Sequence, residues 1–115
     1  MTADSFRQLA LGLPEVAERA HMGHPDFRVR DKIFATLAPD ATWGTVKLTL
    51  DQQTAFMRAD PDVFQPCSGA WGRRGATQLW LAPARAPSVQ RALRAAWRNT
   101  APKRLVQQYE AETRE

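Results

Sequence analysis

The chain has 115 residues, enough for one folded domain with a single hydrophobic core. Hydrophobic residues make up 43% and charged residues 24%, which is typical of folded proteins, and no apolar run approaches the ~20 residues of a membrane span. Cys67 is the single cysteine, which excludes a disulfide framework. The N-terminal residues carry no signal-peptide pattern, so we expect a cytoplasmic protein with no membrane partner.

Positive charge is concentrated in the second half of the chain. Residues 1–62 carry seven Lys/Arg and nine Asp/Glu, whereas residues 63–109 carry eight Lys/Arg and no carboxylate. The net charge of +4 is therefore unevenly distributed, and residues 63–109 form a strongly basic segment. Such a segment indicates either a binding surface for a polyanion or a solvated basic face, and both interpretations stay open at this point.

The first half of the chain predicts a helix followed by three strands. Phe6 and Leu13 belong to an apolar stripe at helical spacing, and from Phe27 apolar and polar residues alternate as in a half-buried strand. The predicted elements are a helix over residues 4–13, a short helical turn over 15–20, and strands from 27, over 33–37 and over 43–50. Short connections, including a tight turn at Asp31–Lys32, favour an antiparallel meander.

Helices dominate the second half of the chain. The strongest helical pattern covers residues 88–99, where one side of the helix is apolar. The predicted elements are a helix over about 51–59, a short edge strand near Cys67, a glycine-rich loop over 69–75, a strand over 77–81, the helix over 88–99, and a final helix from 102 to about 109, with residues 107–115 fraying. We expect Trp43, Trp80 and Trp97 to lie mostly in the core.

Strands grouped in a meander, rather than alternating with helices, favour an α+β fold. We therefore predict a single domain over residues 1–115, with an antiparallel sheet of about five strands and helices on one face. The predicted connections leave open how the 69–75 loop lies relative to the 88–99 helix.

The histidines and the cysteine form no recognisable catalytic or metal-binding motif. His21 and His24 are three residues apart and could share one face of a helical turn, but a catalytic zinc site needs three protein ligands. Cys67 has no neighbouring base or cation to lower its pKa, so we expect a small, half-buried thiol. We expect no catalytic residue, no metal and no cofactor. The least favoured alternative is an enzyme or small-ligand binder with a pocket near His21, His24 and Trp71.

Two basic segments are the candidate contacts for nucleic acid. In the 69–75 loop, two arginines are available for phosphates and Trp71 offers a stacking surface. A hairpin tip with solvated arginines and a tryptophan packed on the sheet also explains the pattern. Along the 88–99 helix, arginines at i, i+3 and i+7 either follow a nucleic-acid backbone or form the solvent face of an amphipathic helix. The candidate residues are Trp71, Arg73, Arg74, Arg91, Arg94, Arg98, Lys103 and Arg104.

Several short motifs follow a particular order along the chain. They are Leu13-Pro14, a Gly-x-Pro-x-Phe segment formed by Gly23, Pro25 and Phe27, a Lys-x-Phe-Ala segment containing Lys32 and Phe34, Lys47-Leu48, and the basic segment at 101–105. With these motifs in this order, the chain resembles the MmcQ/YjbR family of small bacterial proteins, and the resemblance covers about residues 5–106. The 69–75 loop fits the family pattern least well.

The resemblance implies a two-layer α-β3-α-β2-α fold, similar to that of type III secretion chaperones. It also implies a DNA-binding role, because the family is labelled so from a pair of wing-like features, and it brings no catalytic residues. Within the Gly-x-Pro-x-Phe segment, Gly23 and Pro25 shape the start of the strand and Phe27 anchors it in the core. We expect Lys32, at the first hairpin, to be an ordinary turn lysine, and Phe34 to be structural as well.

We therefore expect a non-enzymatic module that binds DNA with weak sequence specificity through phosphate contacts. The alternative is a protein-interaction or chaperone-like module that takes a peptide or a partner subunit on a sheet face or edge. We expect a monomer or a weak dimer.

Overall fold

Over residues 1–113, which the computed structural model describes, the chain forms five helices and six strands. The elements are α1 (Ala3–Leu11), β1 (Val16–His21), β2 (His24–Val29), β3 (Lys32–Leu37), β4 (Trp43–Lys47), α2 (Leu50–Ala59), β5 (Phe64–Pro66), α3 (Gly69–Arg73), β6 (Ala76–Trp80), α4 (Ala86–Thr100) and α5 (Lys103–Thr113). All strands pair antiparallel in one open sheet with the order β1-β2-β3-β4-β6-β5. The predicted α+β fold is confirmed.

The strand that the sequence patterns missed is β1. A helical turn was predicted over residues 15–20, but this segment pairs with β2 from Val16 opposite Val29 to His21 opposite His24. Met22 and Gly23, both at positive φ, form the two-residue turn of this hairpin. Because most of β1 is exposed at the sheet edge, its sequence lacks the alternation that marks a half-buried strand. The prediction of a helical turn was therefore wrong, and the sheet gains a sixth strand.

The Gly-x-Pro-x-Phe and Lys-x-Phe-Ala motifs lie in β2, β3 and the turn before β2. Pro25 is half-buried near the start of β2, and Phe27 is fully buried, with its ring edge-on to Phe6 at 5.9 Å between centroids. Phe34 is also fully buried, whereas Lys32 is exposed at the start of β3. The tight turn before β3 lies at Arg30–Asp31, both at positive φ, one residue earlier than predicted.

Helices α1 and α4 cover one face of the sheet, where the hydrophobic core lies. Phe27, Val46 and Leu79 point into this layer, and the apolar side of α4 is fully buried against it, as predicted. The indole nitrogen of Trp97 donates to the carbonyl of Pro14 at 3.1 Å, which ties α4 to the segment after α1. None of the helices in the described part of the chain is long and apolar enough to span a membrane.

The last helix is longer than predicted. Helix α5 continues to Thr113, and its Tyr109 lies edge-on to Trp97 at 5.1 Å between ring centroids. The expected frayed tail over residues 107–115 is therefore wrong for 107–113, because this aromatic contact docks the helix on α4. Arg114 and Glu115 lie outside the described residues.

The other side of the sheet carries none of the described helices. Gly44 shows the alternation most clearly, because a Cβ there would lie 3.2 Å from the ring of Phe6, so its neighbours Trp43 and Thr45 point away from the helices. We call this side the open face. It carries Arg19, Asp26, Arg28, Thr36, Trp43, Thr45, Lys47, Gln65, Gln78 and Trp80. Of the three tryptophans expected in the core, only Trp97 is fully buried.

Candidate nucleic-acid interface

The segment predicted as a glycine-rich loop, residues 69–75, contains the short helix α3. Its glycines serve close packing. A Cβ at Gly72 would overlap the carbonyl oxygen of Cys67, and one at Gly75, where φ is +116°, would overlap that of Leu48. The loop prediction was therefore wrong, because glycine's low helix propensity was outweighed by tertiary contacts that only glycine permits.

A buried side chain that the sequence analysis did not single out holds α3 in place. The amide nitrogen of Gln53, in α2, donates to the carbonyl oxygens of Gly72 and Ala76, each at 3.1 Å. It also lies 3.3 Å from the hydroxyl of Thr77, which donates to the carbonyl of Gly75 at 2.7 Å. This network fixes α3 and the start of β6 against α2.

These contacts place two of the predicted residues, Trp71 and Arg74, at a cleft of about 290 Å³ at the end of the sheet. We call it the basic cleft and define it by Lys47, Trp71, Arg74, Asn99 and Thr100. The amide of Asn99 donates to the carbonyl of Lys47 at 3.1 Å and to Gln52 at 2.7 Å, so the end of α4 is fastened to β4 and α2. The relation between the 69–75 segment and α4, which the sequence left open, is set by this arrangement.

The basic cleft is positively charged. Among the described residues, no carboxylate lines it, and neither Lys47 nor Arg74 forms an ion pair. The start of α2 and the end of α4 meet here, and their opposite helix-dipole charges offset one another. The side-chain charges therefore set the sign of the site. Trp71, with 67% of its surface exposed, adds an apolar ring beside them.

The remaining predicted residues do not all join the basic cleft. Lys103 and Arg104 are exposed on the first turn of α5, shortly after Thr100, and Arg73 is exposed beside Arg74. These three cations extend the positive surface at the same end of the molecule.

The predicted arginine stripe of α4 is divided. Arg98 is ion-paired with Glu110 of α5, and Arg94 is half-buried with its Nε enclosed and without a described hydrogen-bond partner. Arg91 is exposed but lies more than two helical turns before Asn99. The stripe is therefore not a continuous contact surface, because one member is ion-paired with α5 and another is partly enclosed.

The histidines lie at a separate cleft of about 180 Å³, lined also by Asp26, Ile33 and Thr36. His21 and His24 face each other across the β1–β2 hairpin and do not lie on a helical turn. Cys67 follows β5 at the opposite edge of the sheet, roughly 20 Å away by strand spacing. Neither Cys67 nor Trp71 therefore lies near the histidines. The alternative pocket, lined by His21, His24 and Trp71 together, is not formed.

Cys67 is half-buried, as expected. Burial raises the pKa of its thiol, which keeps the sulfur in the unreactive protonated form at neutral pH.

The fold and the basic cleft together define a small α+β protein built on one six-stranded antiparallel sheet. The YjbR family model matches residues 11–99, most of the chain, and the chain belongs to this family. The resemblance inferred from the short motifs is thereby confirmed.

Comparison with known structures supports the fold. The crystal structure of Deinococcus radiodurans protein DR2400, which carries the domain DUF419, is similar with a TM-score of 0.69 and 17% sequence identity. The likeness covers 84% of this chain and 75% of the other. No curated protein sequence matches the chain significantly.

Proposed function

We propose that the protein binds nucleic acid, DNA in the first instance, through phosphate contacts at the basic cleft. The observation that carries this proposal is the placement of an exposed tryptophan, Trp71, beside two cations, Lys47 and Arg74, that have no carboxylate partner among the described residues. Lysine and arginine neutralise phosphates, and an exposed indole ring offers a stacking surface to a base.

The polar groups of the cleft favour weak sequence preference. Asn99 is the side chain best suited to reading a base edge, but both of its described hydrogen bonds are internal, to Lys47 and Gln52. The hydroxyl of Thr100 donates to the carbonyl of Ala96 within α4. The charged donors of the cleft are those of Lys47 and Arg74, and cations that contact phosphates position a nucleic acid without reading its sequence.

The salt dependence of binding tests this proposal. Each phosphate contact contributes about 0.9 to the slope of log affinity against log salt, so two contacts weaken binding about tenfold between about 50 and 200 mM salt. Fluorescence anisotropy of a labelled oligonucleotide measures this slope. Replacing Lys47 or Arg74 by alanine is expected to reduce the slope by about one each.

Arg85→Ala is the matched control. Arg85 is an exposed arginine at the N-terminal end of α4, about 20 Å along the helix from Asn99, and it forms no ion pair with a described carboxylate. Equal losses for Arg74→Ala and Arg85→Ala would show that only overall charge matters. Absence of binding at about 50 mM salt would contradict the proposal altogether.

A second candidate function is peptide binding at the sheet edge. Strand β1 is six residues long, lies at the edge of the sheet and is exposed along most of its length, so one side of its backbone is available to an added strand. Such binding depends on main-chain hydrogen bonds. It is therefore expected to survive salt concentrations that abolish phosphate contacts, and this separates the two functions.

A further inference from the structure

Two tryptophans stand side by side on the open face of the sheet. Trp43 of β4 pairs in register with Trp80 of β6, and both strands lie in the interior of the sheet. Their side chains point away from the helices, because the alternate residues of each strand are buried beneath α1, α2 and α4. Trp80 keeps 37% of its surface exposed. The hydrophobic core does not account for this pair.

Next to the tryptophans, a row of polar side chains crosses the whole sheet. Consecutive members are register partners on neighbouring strands: Arg19, Asp26, Thr36, Thr45, Gln78 and Gln65. The hydroxyls of Thr36 and Thr45 are hydrogen-bonded to each other, and the amide of Gln65 donates to Gln78 at 3.3 Å. The row supplies uncharged donors and acceptors over interior strands of the sheet.

The charges of the open face suit a polyanion. The carboxylate of Asp26 is only 1% exposed, and its two oxygens accept from Nε of Arg28 at 2.8 Å and from Nη2 at 3.1 Å. Glu18 of β1 points to the helix side, where it accepts from Arg7 at 2.8 Å. Arg19 and Lys47 are exposed and have no carboxylate partner among the described residues. The face is therefore left with unneutralised cations and no free carboxylate in its row.

The open face and the basic cleft are continuous through one strand. Trp43 and Lys47 lie on the same side of β4, four residues or about 13 Å apart, and Lys47 also lines the basic cleft. A chain that contacts Lys47 and Arg74 with its phosphates can therefore extend along β4 and β6 to the tryptophan pair.

We propose that a single-stranded nucleic acid lies on the open face, with bases stacked on Trp43 and Trp80 and its backbone leading into the basic cleft. This inference rests on the proposed function and adds the class of nucleic acid. Bases in a duplex are stacked on one another and do not present their faces, whereas single strands stack readily on aromatic side chains that a sheet displays. The tryptophan pair therefore selects single strands over duplexes.

The test compares a labelled single strand of about 12 nucleotides with the duplex of the same sequence, by fluorescence anisotropy at low salt. Trp43→Ala and Trp80→Ala are each expected to weaken single-strand binding by about 5- to 100-fold and to leave duplex binding unchanged. Trp80→Phe keeps an aromatic ring and is expected to retain most of the affinity. Gln90→Ala, at an exposed position of α4 on the helix-covered side, is the matched control with little expected loss.

Circular dichroism and thermal unfolding establish that each variant is folded, and Trp80→Phe keeps the test valid if the alanine variant unfolds. Binding of either a DNA or an RNA single strand that depends on the two tryptophans supports the inference. If Arg74→Ala weakens binding but the tryptophan variants do not, the inference is overturned and the proposed function stands.

Two other outcomes overturn the inference. If neither single strand nor duplex binds, the proposed function fails with it. If single-strand affinity is unchanged in Trp80→Ala while a concentration-dependent dimer of the unmodified protein is lost, the open face is an interface between two copies of this chain.

Discussion

The two faces of the sheet are built from alternate residues of the same strands, yet they are subject to different constraints. On the helix-covered face, Phe27, Val46 and Leu79 are fully buried, and Gly44 leaves room for Phe6. On the open face, the same strands present threonines, glutamines and a half-exposed tryptophan pair. Packing explains the first set, whereas the proposed contact with nucleic acid rests on the exposed aromatic surface and the unpaired cations of the second. Substitutions on the two faces are therefore expected to separate stability from binding.

The largest loss of stability is expected on the covered face. Phe27→Ala removes a fully buried ring that packs edge-on against Phe6, and the cavity left behind is expected to lower the free energy of unfolding by about 3–5 kcal/mol. Urea denaturation followed by circular dichroism measures this change. A loss below about 1 kcal/mol would show that the covered face does not depend on this contact.

The next largest effect is expected at the network that supports the basic cleft. Gln53→Ala removes two buried side-chain hydrogen bonds to the carbonyls of Gly72 and Ala76, which keep their backbone donors, at an expected cost of about 1–3 kcal/mol. Gln90→Ala, at an exposed position of α4, is the control and is expected to change stability by less than about 0.5 kcal/mol. Equal effects of the two substitutions would contradict the role assigned to Gln53.

A smaller effect is expected when the same truncation is made on the open face. Trp80→Ala removes a cross-strand partner of Trp43 but no buried core residue, so the expected loss is about 1 kcal/mol. Denaturation under the conditions used for Phe27→Ala gives the direct comparison. If Trp80→Ala destabilised the protein as much as Phe27→Ala, the tryptophan pair would be part of the core, and its exposure would carry no functional meaning.

The smallest effect is expected at the α4–α5 ion pair. Arg98 and Glu110 are partly exposed, and Arg98→Ala is expected to lower the free energy of unfolding by no more than about 0.5 kcal/mol. The same variant is expected to leave the salt slope of oligonucleotide binding unchanged, because the guanidinium is already paired. A slope as reduced as that of Arg74→Ala would place Arg98 in the interface.

Local patterns predicted the parts of the fold that depend on local physics. The apolar side of α4 follows from helical spacing, and the structure shows a capping box between Thr49 and Gln52, also a local pattern, at the start of α2. Strand β1 and helix α3 could not be predicted in this way. Strand β1 is held by hairpin pairing at an exposed edge. Helix α3 depends on the close backbone contacts of Gly72 with Cys67 and of Gly75 with Leu48.

The candidate site was predictable only in part. Trp71 and Arg74 stood out because a glycine-rich basic segment with one aromatic residue is typical of a nucleic-acid contact. Lys47 and Asn99 gave no such signal, since their place in the cleft depends on the hydrogen bond that joins α4 to β4. The alignment of Trp43 with Trp80 depends on strand register across a crossover, which no local pattern specifies.

The most direct test of the account is the salt dependence of oligonucleotide binding for three proteins: the unmodified chain, the double variant Lys47→Ala/Arg74→Ala, and Arg85→Ala. We predict that the unmodified chain and Arg85→Ala lose affinity at least about tenfold between about 50 and 200 mM salt, and that the double variant binds weakly with a slope smaller by about two. Identical affinities and slopes for all three proteins, or no binding at about 50 mM salt, would contradict the assignment of the basic cleft as a nucleic-acid interface.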